Sequence, residues 1–218
     1  MTDAYSRLQF LALASGGIVG GAHRSLPETS RSNAGTKAHR FPISGLQTPD
    51  DVVYTDWHRS DFRGYTVPLV GDVESLMALS LSDLLAMEQR AQTTGFSCIK
   101  GWHAMGTWRG VGLRSILAAA RPMRGSRFVV FHSFDRDSEG TPFYESLEIE
   151  QAYHRDTLLA LELNDRPLGV VHGGPVRLHV PTQPGYKNVK WLRRIEVVSS
   201  LEGIGRGRGG YWEDKGLT

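Results

Sequence analysis

The apolar residues of this chain arrive in short runs, most of them alternating, and each run is closed within a few positions by a turn residue. Tyr65, Val67 and Leu69 alternate ahead of Gly71-Asp72, Phe128 to Phe131 stand between polar neighbours, and Leu158 to Leu163 meet Asn164-Asp165. Such runs suit strands, whose side chains point to two faces in turn. Val176, Leu178 and Val180 continue the pattern, which sets Arg177 and His179 on an opposite, polar and accessible face. In a last strand Val189, Trp191, Ile195 and Val197 share one parity with Lys190 on the other, and Arg193 falls among the apolar set.

Two segments follow helical spacing instead. Ser80 to Asp83 has the spacing of a capping box, and Leu81, Leu84 and Leu85 predict a short helix running toward Arg90. Leu113, Ile116 and Leu117 predict a second, ended by Arg121-Pro122. With 25 glycines and 10 prolines to supply turns, the chain suits a sheet-rich α+β domain better than a helical bundle.

Its 218 residues are enough for one substantial core. Residues 1–40 read as an export-like segment and linker, and 41–218 as the domain. The apolar stretch Leu8 to Ala22 is short for a membrane span and loosened by glycines. Ser6-Arg7-Leu8-Gln9-Phe10-Leu11 resembles a twin-arginine export signal in which Leu8 stands at the second arginine, so a periplasmic or exported location is the expectation and a cytoplasmic one the alternative. A net charge of +2 gives no reason to expect nucleic acid, although the chain is locally basic between Arg166 and Arg208.

The single cysteine, Cys98, excludes an internal disulfide and the paired-cysteine sites of structural zinc and iron–sulfur clusters. A lone cysteine is usually buried packing. Cys98, however, lies where a strand gives way to a glycine turn, and Lys100 and His103 close by would favour its thiolate, which suits a nucleophile or a soft metal ligand. A second constellation runs from His172-Gly173-Gly174-Pro175-Val176-Arg177 to Pro181–Lys190. Glycines allow close backbone approach, Arg177 offers a fork for phosphate, and Lys187 and Lys190 add point charges, so the stretch suits a phosphorylated ligand. Each residue taken singly is equally a solvated turn residue. Neither a Walker pattern nor a glycine fingerprint for dinucleotides is present.

Three landmarks in order resemble the molybdopterin-binding domain of the sulfite oxidase superfamily, which includes bacterial methionine sulfoxide reductase catalytic subunits. They are Thr48-Pro49-Asp50-Asp51 leading through Tyr54 to His58; Cys98-Ile99-Lys100-Gly101-Trp102 with Trp108-Arg109-Gly110-Val111-Gly112-Leu113; and His172 to Leu178 with Gly185-Tyr186-Lys187-Asn188-Val189-Lys190-Trp191. The resemblance implies an α+β sheet-rich fold of that type and a molybdenum–molybdopterin cofactor. It makes Cys98 the molybdenum ligand, with Tyr54, His58, Ser133, His172, Arg177, Asn188, Val189 and Lys190 as cofactor contacts. It also implies two-electron oxo-transfer chemistry on a small-molecule substrate, with electrons exchanged through a separate cytochrome or haem membrane subunit and the chain itself monomeric. Asp56 and His103 stand where sulfite oxidases carry arginines for a dianion, which disfavours sulfite. Gly210-Tyr211-Trp212-Glu213 resembles a tail motif of bacterial members. Two alternatives remain open at the level of sequence: a catalytically silent pterin- or partner-binding module, and a thiol enzyme using Cys98. Trp102 and Trp108 read as core, His154 as surface, and Asp135 and Asp137 as solvated loop residues, with Asp135 within reach of a cofactor.

Overall fold

The computed structural model describes residues 49–97 and 103–216. The export-like segment, the start of the domain at Phe41, and Cys98 with Lys100 and Trp102 lie outside the described residues. The element order is α1 (Val52–Arg59), β1 (Thr66–Gly71), β2 (Met77–Ser80), α2 (Leu81–Ala86), β3 (Gln89–Ser97), β4 (His103–Gly112), α3 (Leu113–Ala120), β5 (Phe128–Arg136), β6 (Pro142–Glu148), α4 (Ile149–Ala152), β7 (Leu158–Leu163), β8 (Arg166–Pro167), β9 (Arg177–His179), β10 (Leu192–Val198) and α5 (Tyr211–Asp214). Short 3-10 turns occupy Val170–His172 and Gly185–Lys187.

The strands form two sheets, one ordered β2-β1-β10-β5-β6 and the other β3-β4-β7-β8 with β9 also paired to β7. Among the described strands only β1 and β10 pair in parallel, with Leu69 opposite Ile195. The inner residues of both sheets share one apolar cluster, Val67, Leu69, Phe131, Ile195 and Val197 from the first with Val111, Leu159, Leu161 and Leu178 from the second. Short helices fill the gaps, which makes the domain α+β and sheet-rich, as the sequence patterns predict. No helix among the described residues is long and apolar enough to cross a membrane.

Local chemistry accounts for most boundaries. Ser80 and Asp83 close the capping box at α2. That helix ends at Ala86, short of the predicted Arg90, because the chain extends from Gln89 to pair with β4. In α3, Leu113, Ile116, Leu117 and Ala120 are buried on one face, and full burial of a leucine or isoleucine contributes about 1.5–3 kcal/mol. Arg121 ends that helix in the left-handed region at φ 53° before Pro122. Asn164 and Asp165 both take positive φ, 53° and 59°, as a two-residue hairpin between β7 and β8 requires.

Two features depart from the alternation. Between Leu192 and Arg194 the pairing of β10 with β5 shifts by one residue, so Arg193 is expelled to the surface and Ile195 returns to the core. The misfit of Arg193 in the apolar parity is that bulge. The second departure is β9, where Arg177, Leu178 and His179 are all buried. Arg177 therefore does not occupy an accessible face: the Trp108 ring of β4 covers it, with the guanidinium carbon 5.1 Å from the ring centre.

Candidate functional site

The loop from Leu168 to Leu192 folds back on itself between the two sheets. Trp191 ties its halves together, its indole Nε1 donating to the Val170 carbonyl at 2.7 Å and its backbone N–H to the Gly173 carbonyl at 3.2 Å. Gly173, at φ 96°, has no room for a side chain, since a Cβ there would lie 2.7 Å from that of Lys190. The backbone of the 172–174 turn is thereby pressed against Lys190. On the other side Tyr54, fully buried on α1, donates its hydroxyl to the Gly174 carbonyl at 2.6 Å.

Arg177 lies beneath this fold-back. Its Nη1 donates to the His172 carbonyl at 2.9 Å and its Nη2 to the Asn188 carbonyl at 3.0 Å, joining the two halves from below. Burial brings its pKa down to about 9. Asn188 locks the next turn by accepting the Val180 N–H on Oδ1 at 2.8 Å, and the carbonyl of the buried Val189 accepts the Leu178 N–H at 2.8 Å. Ser133, at the end of β5, donates its hydroxyl to the Lys190 carbonyl at 2.7 Å and accepts the Asp135 N–H at 3.0 Å.

Lys190 ends in an unusual state for a lysine. Its ammonium lies 4.1 Å from the Trp191 ring centre and is buried, with no hydrogen-bond acceptor among the described residues. Burial and the Arg177 charge push its pKa down to about 7, against the pull of Asp135. Asp135 is itself buried at the end of β5 and not a solvated loop residue, and burial raises its carboxyl to about 7, opposed by Lys190. Lys187, three positions before Lys190, is no free point charge: it pairs with Glu145 at 2.8 Å and with Glu213.

The structure thus joins Tyr54, Ser133, His172, Arg177, Asn188, Val189 and Lys190 in one hydrogen-bonded unit. His58 stands at the exposed end of α1 with its ring against Phe62. Trp108 is core, stacked 4.4 Å from His179, whose Nε2 meets the Thr94 hydroxyl at 2.8 Å. Burial, reinforced by the Arg177 charge, keeps that imidazole neutral with a pKa down to about 3. Sequence reasoning placed His179 on an accessible face, although it is fully buried, noted Glu213 only within a tail motif, and had no signal for Glu145. Asp137, read as a solvated residue, accepts the Tyr211 hydroxyl at 2.6 Å and the Lys215 ammonium at 2.9 Å.

A buried ammonium without an acceptor among the described residues is costly, and the buried Arg177 guanidinium beside it adds a second desolvated charge. Both costs fall if an anion enters beside Lys190. These residues therefore fit a phosphate-bearing cofactor.

Comparison with known proteins gives the same direction. The family model described as "Oxidoreductase molybdopterin binding domain" matches residues 54–202. The chain is 30% identical over 178 residues to a putative protein-methionine-sulfoxide reductase subunit YedZ1 of Azospira oryzae, covering 82% of this chain and 62% of that relative. It is 32% identical over 149 residues to the protein-methionine-sulfoxide reductase catalytic subunit MsrP of Xanthomonas axonopodis pv. citri, covering 63% of this chain and 46% of the relative. The chain thus spans about half to three-fifths of the length of these curated relatives. Among solved structures, the sulfane dehydrogenase SoxCD of Paracoccus pantotrophus superposes with a TM-score of 0.58 at 23% identity, over 72% of this chain and 41% of that one.

Proposed function

This chain belongs to the oxidoreductase molybdopterin-binding domain family, and on that premise we propose that its His172–Lys190 loop holds the pterin phosphate, that Cys98 is the molybdenum ligand, and that the enzyme reduces a sulfoxide. The observation that carries the phosphate reading is the buried Lys190 ammonium with no acceptor among the described residues. When bound, the molybdenum cofactor supplies two-electron exchange coupled to oxygen transfer, chemistry that protein side chains do not provide.

The chain's own residues bind and orient. Lys190 contributes the positive charge nearest an incoming phosphate, and Arg177 adds a second charge while holding His172 and Asn188. An anion beside Lys190 raises its pKa, so cofactor binding at neutral pH is accompanied by proton uptake at Nζ. Ser133 keeps the Lys190 backbone in place, and Tyr54 does the same for Gly174. His58, His172 and Val189 complete the proposed contacts. Cys98, as a thiolate, would hold the metal.

The sulfoxide reading draws on two relatives that carry methionine-sulfoxide-reductase names. Electrons enter from a separate redox protein, in keeping with the subunit names of the relatives.

The test is molybdenum analysis of the full chain made in a cofactor-competent host, followed by turnover of methionine sulfoxide with a reduced viologen. Near-stoichiometric metal and turnover, both lost in Cys98→Ala, are expected. Metal with no turnover on any sulfoxide would overturn the substrate, and metal-free wild-type protein would overturn the whole reading.

A further inference from the structure

Lys187 is gripped by two acidic side chains from distant parts of the chain. Glu145 comes from β6, the edge strand of the first sheet, and Glu213 from α5 near the C-terminus. The segment from Ser199 to Gly216 lies as a strap along that open edge. Gly209 accepts the Ser146 N–H at 2.9 Å, Gly210 bridges to Glu145, and the Tyr211 ring packs 5.7 Å from Phe143. Gly210 lies directly on the two carboxyl groups, where a Cβ would collide with both. Tyr186 adds a hydroxyl to Glu213 at 3.3 Å.

We propose that Glu145 and Glu213 are positioning residues for the cofactor: by gripping Lys187 they hold the adjoining Asn188–Lys190 run in its binding geometry, which couples docking of the C-terminal strap to cofactor retention. The inference rests on the assignment of Lys190 to the phosphate. It adds a function for two residues to which the proposed function gives no role.

The transmission path is short. Lys187 closes one 3-10 turn, its carbonyl accepts the Val189 N–H at 3.1 Å, and Asn188 is locked to Val180 on one side and Arg177 on the other. With the Lys190 carbonyl held by Ser133, both ends of the run are fixed, and releasing Lys187 frees one of them. Linkage then works in both directions, so a bound cofactor must tighten the strap.

Charge gives the coupling a pH signature. Glu145 faces Lys187 and Tyr186 from the 3-10 turn, Glu213 from α5, and Tyr144 on its own strand. Burial, with Glu213 adding to it and Lys187 opposing it, raises the carboxyl from 4.5 to about 9. The docked state therefore holds a proton that the undocked state has lost, so docking weakens as pH rises from 4.5 toward about 9.

The test uses the full chain, cofactor-loaded and cofactor-stripped, with two readouts: amide exchange in 185–190 and 204–214, corrected for intrinsic rates, and the rate of pterin release. Glu213→Gln is expected to speed exchange in both segments and to release the cofactor about tenfold faster. In stripped protein the strap should loosen between about pH 6 and pH 9, and the conservative Glu145→Gln, which mimics the protonated acid, should abolish that dependence. Faster strap exchange in Glu213→Gln with unchanged cofactor release would overturn the coupling. Lys190→Met separates the two readings: if it releases cofactor no faster than wild type, the phosphate assignment fails, whereas rapid release there and none in Glu213→Gln defeats the latch alone.

Discussion

Two segments of this chain combine glycines with basic side chains, and they end in opposite states. In the loop around Gly203–Gly210, the glycines at 203, 205, 207 and 209 all take positive φ. The backbone N–H groups of Arg206 and Arg208 then converge on the Asp214 carboxylate at 2.8 and 3.2 Å. Tyr144 donates a further hydrogen bond to it. Although burial works the other way, these bonds hold the Asp214 carboxyl below its usual range. This nest already contains its anion, supplied by the chain eight residues after Arg206. In the His172–Lys190 loop, the Lys190 ammonium is left without an acceptor among the described residues. A run of glycine and basic residues is thus a site for an external anion only where the fold leaves a donor unmatched.

The strongest challenge to that contrast is Lys190→Met. It should lower retained molybdenum about tenfold or more, whereas the double variant Arg206→Met, Arg208→Met should leave the metal content of purified protein unaltered. Equal losses would erase the distinction between the two segments. The same variant has a stability signature in cofactor-free protein. With Lys190 lowered from 10.5 to about 7 in the folded chain, the unfolded chain binds the extra proton between those values, so this residue's contribution to stability rises with pH there. Urea denaturation across that range should show the rise in wild type and its loss in Lys190→Met, so that it appears as the difference between them. Asp135, raised from 3.8 to about 7, acts oppositely: its contribution falls as pH climbs through that window.

Smaller effects sharpen the comparison. Asp214→Asn removes a carboxylate that accepts two backbone N–H groups and a hydroxyl, and should cost about 2–3 kcal/mol by urea denaturation, with faster amide exchange in 203–210. No change would mean that the nest is not held by its anion. Tyr54→Phe leaves the buried Gly174 carbonyl without its donor and should cost about 1–2 kcal/mol in the cofactor-free state. A cost seen only in the loaded protein would make Tyr54 a contact rather than a support. Ser80→Ala, at the exposed cap of α2 away from both segments, should cost about 0.5–1 kcal/mol, with molybdenum content as in wild type, and so calibrates the other losses.

Much of the frame was legible in advance because it depends on near neighbours. The capping box at Ser80, the helix from Leu113, the Asn164-Asp165 hairpin and the buried parity of Val67 and Leu69 all arise from residues within a turn or a strand pitch of each other. Arg193 shows where that reasoning stops: its parity was wrong for the core because pairing with β5 inserts a bulge, and a bulge belongs to two strands. Arg177 shows the same limit in another form. Alternation places it opposite Leu178, yet whether that face meets water depends on Trp108 arriving from β4.

For the site itself, sequence alone determined the glycine-rich, basic composition of the 172–190 loop and its closeness to a family pattern that includes Cys98, a residue outside the described structure. Tertiary structure decided which of two lysines three positions apart is left unmatched. Lys187 meets Glu145, 42 residues away, and Lys190 meets no acceptor among the described residues. The physical reason is that a charge's state depends on what shares its low-dielectric surroundings, and those neighbours are assembled by sheet pairing and strap docking rather than by adjacency in the chain.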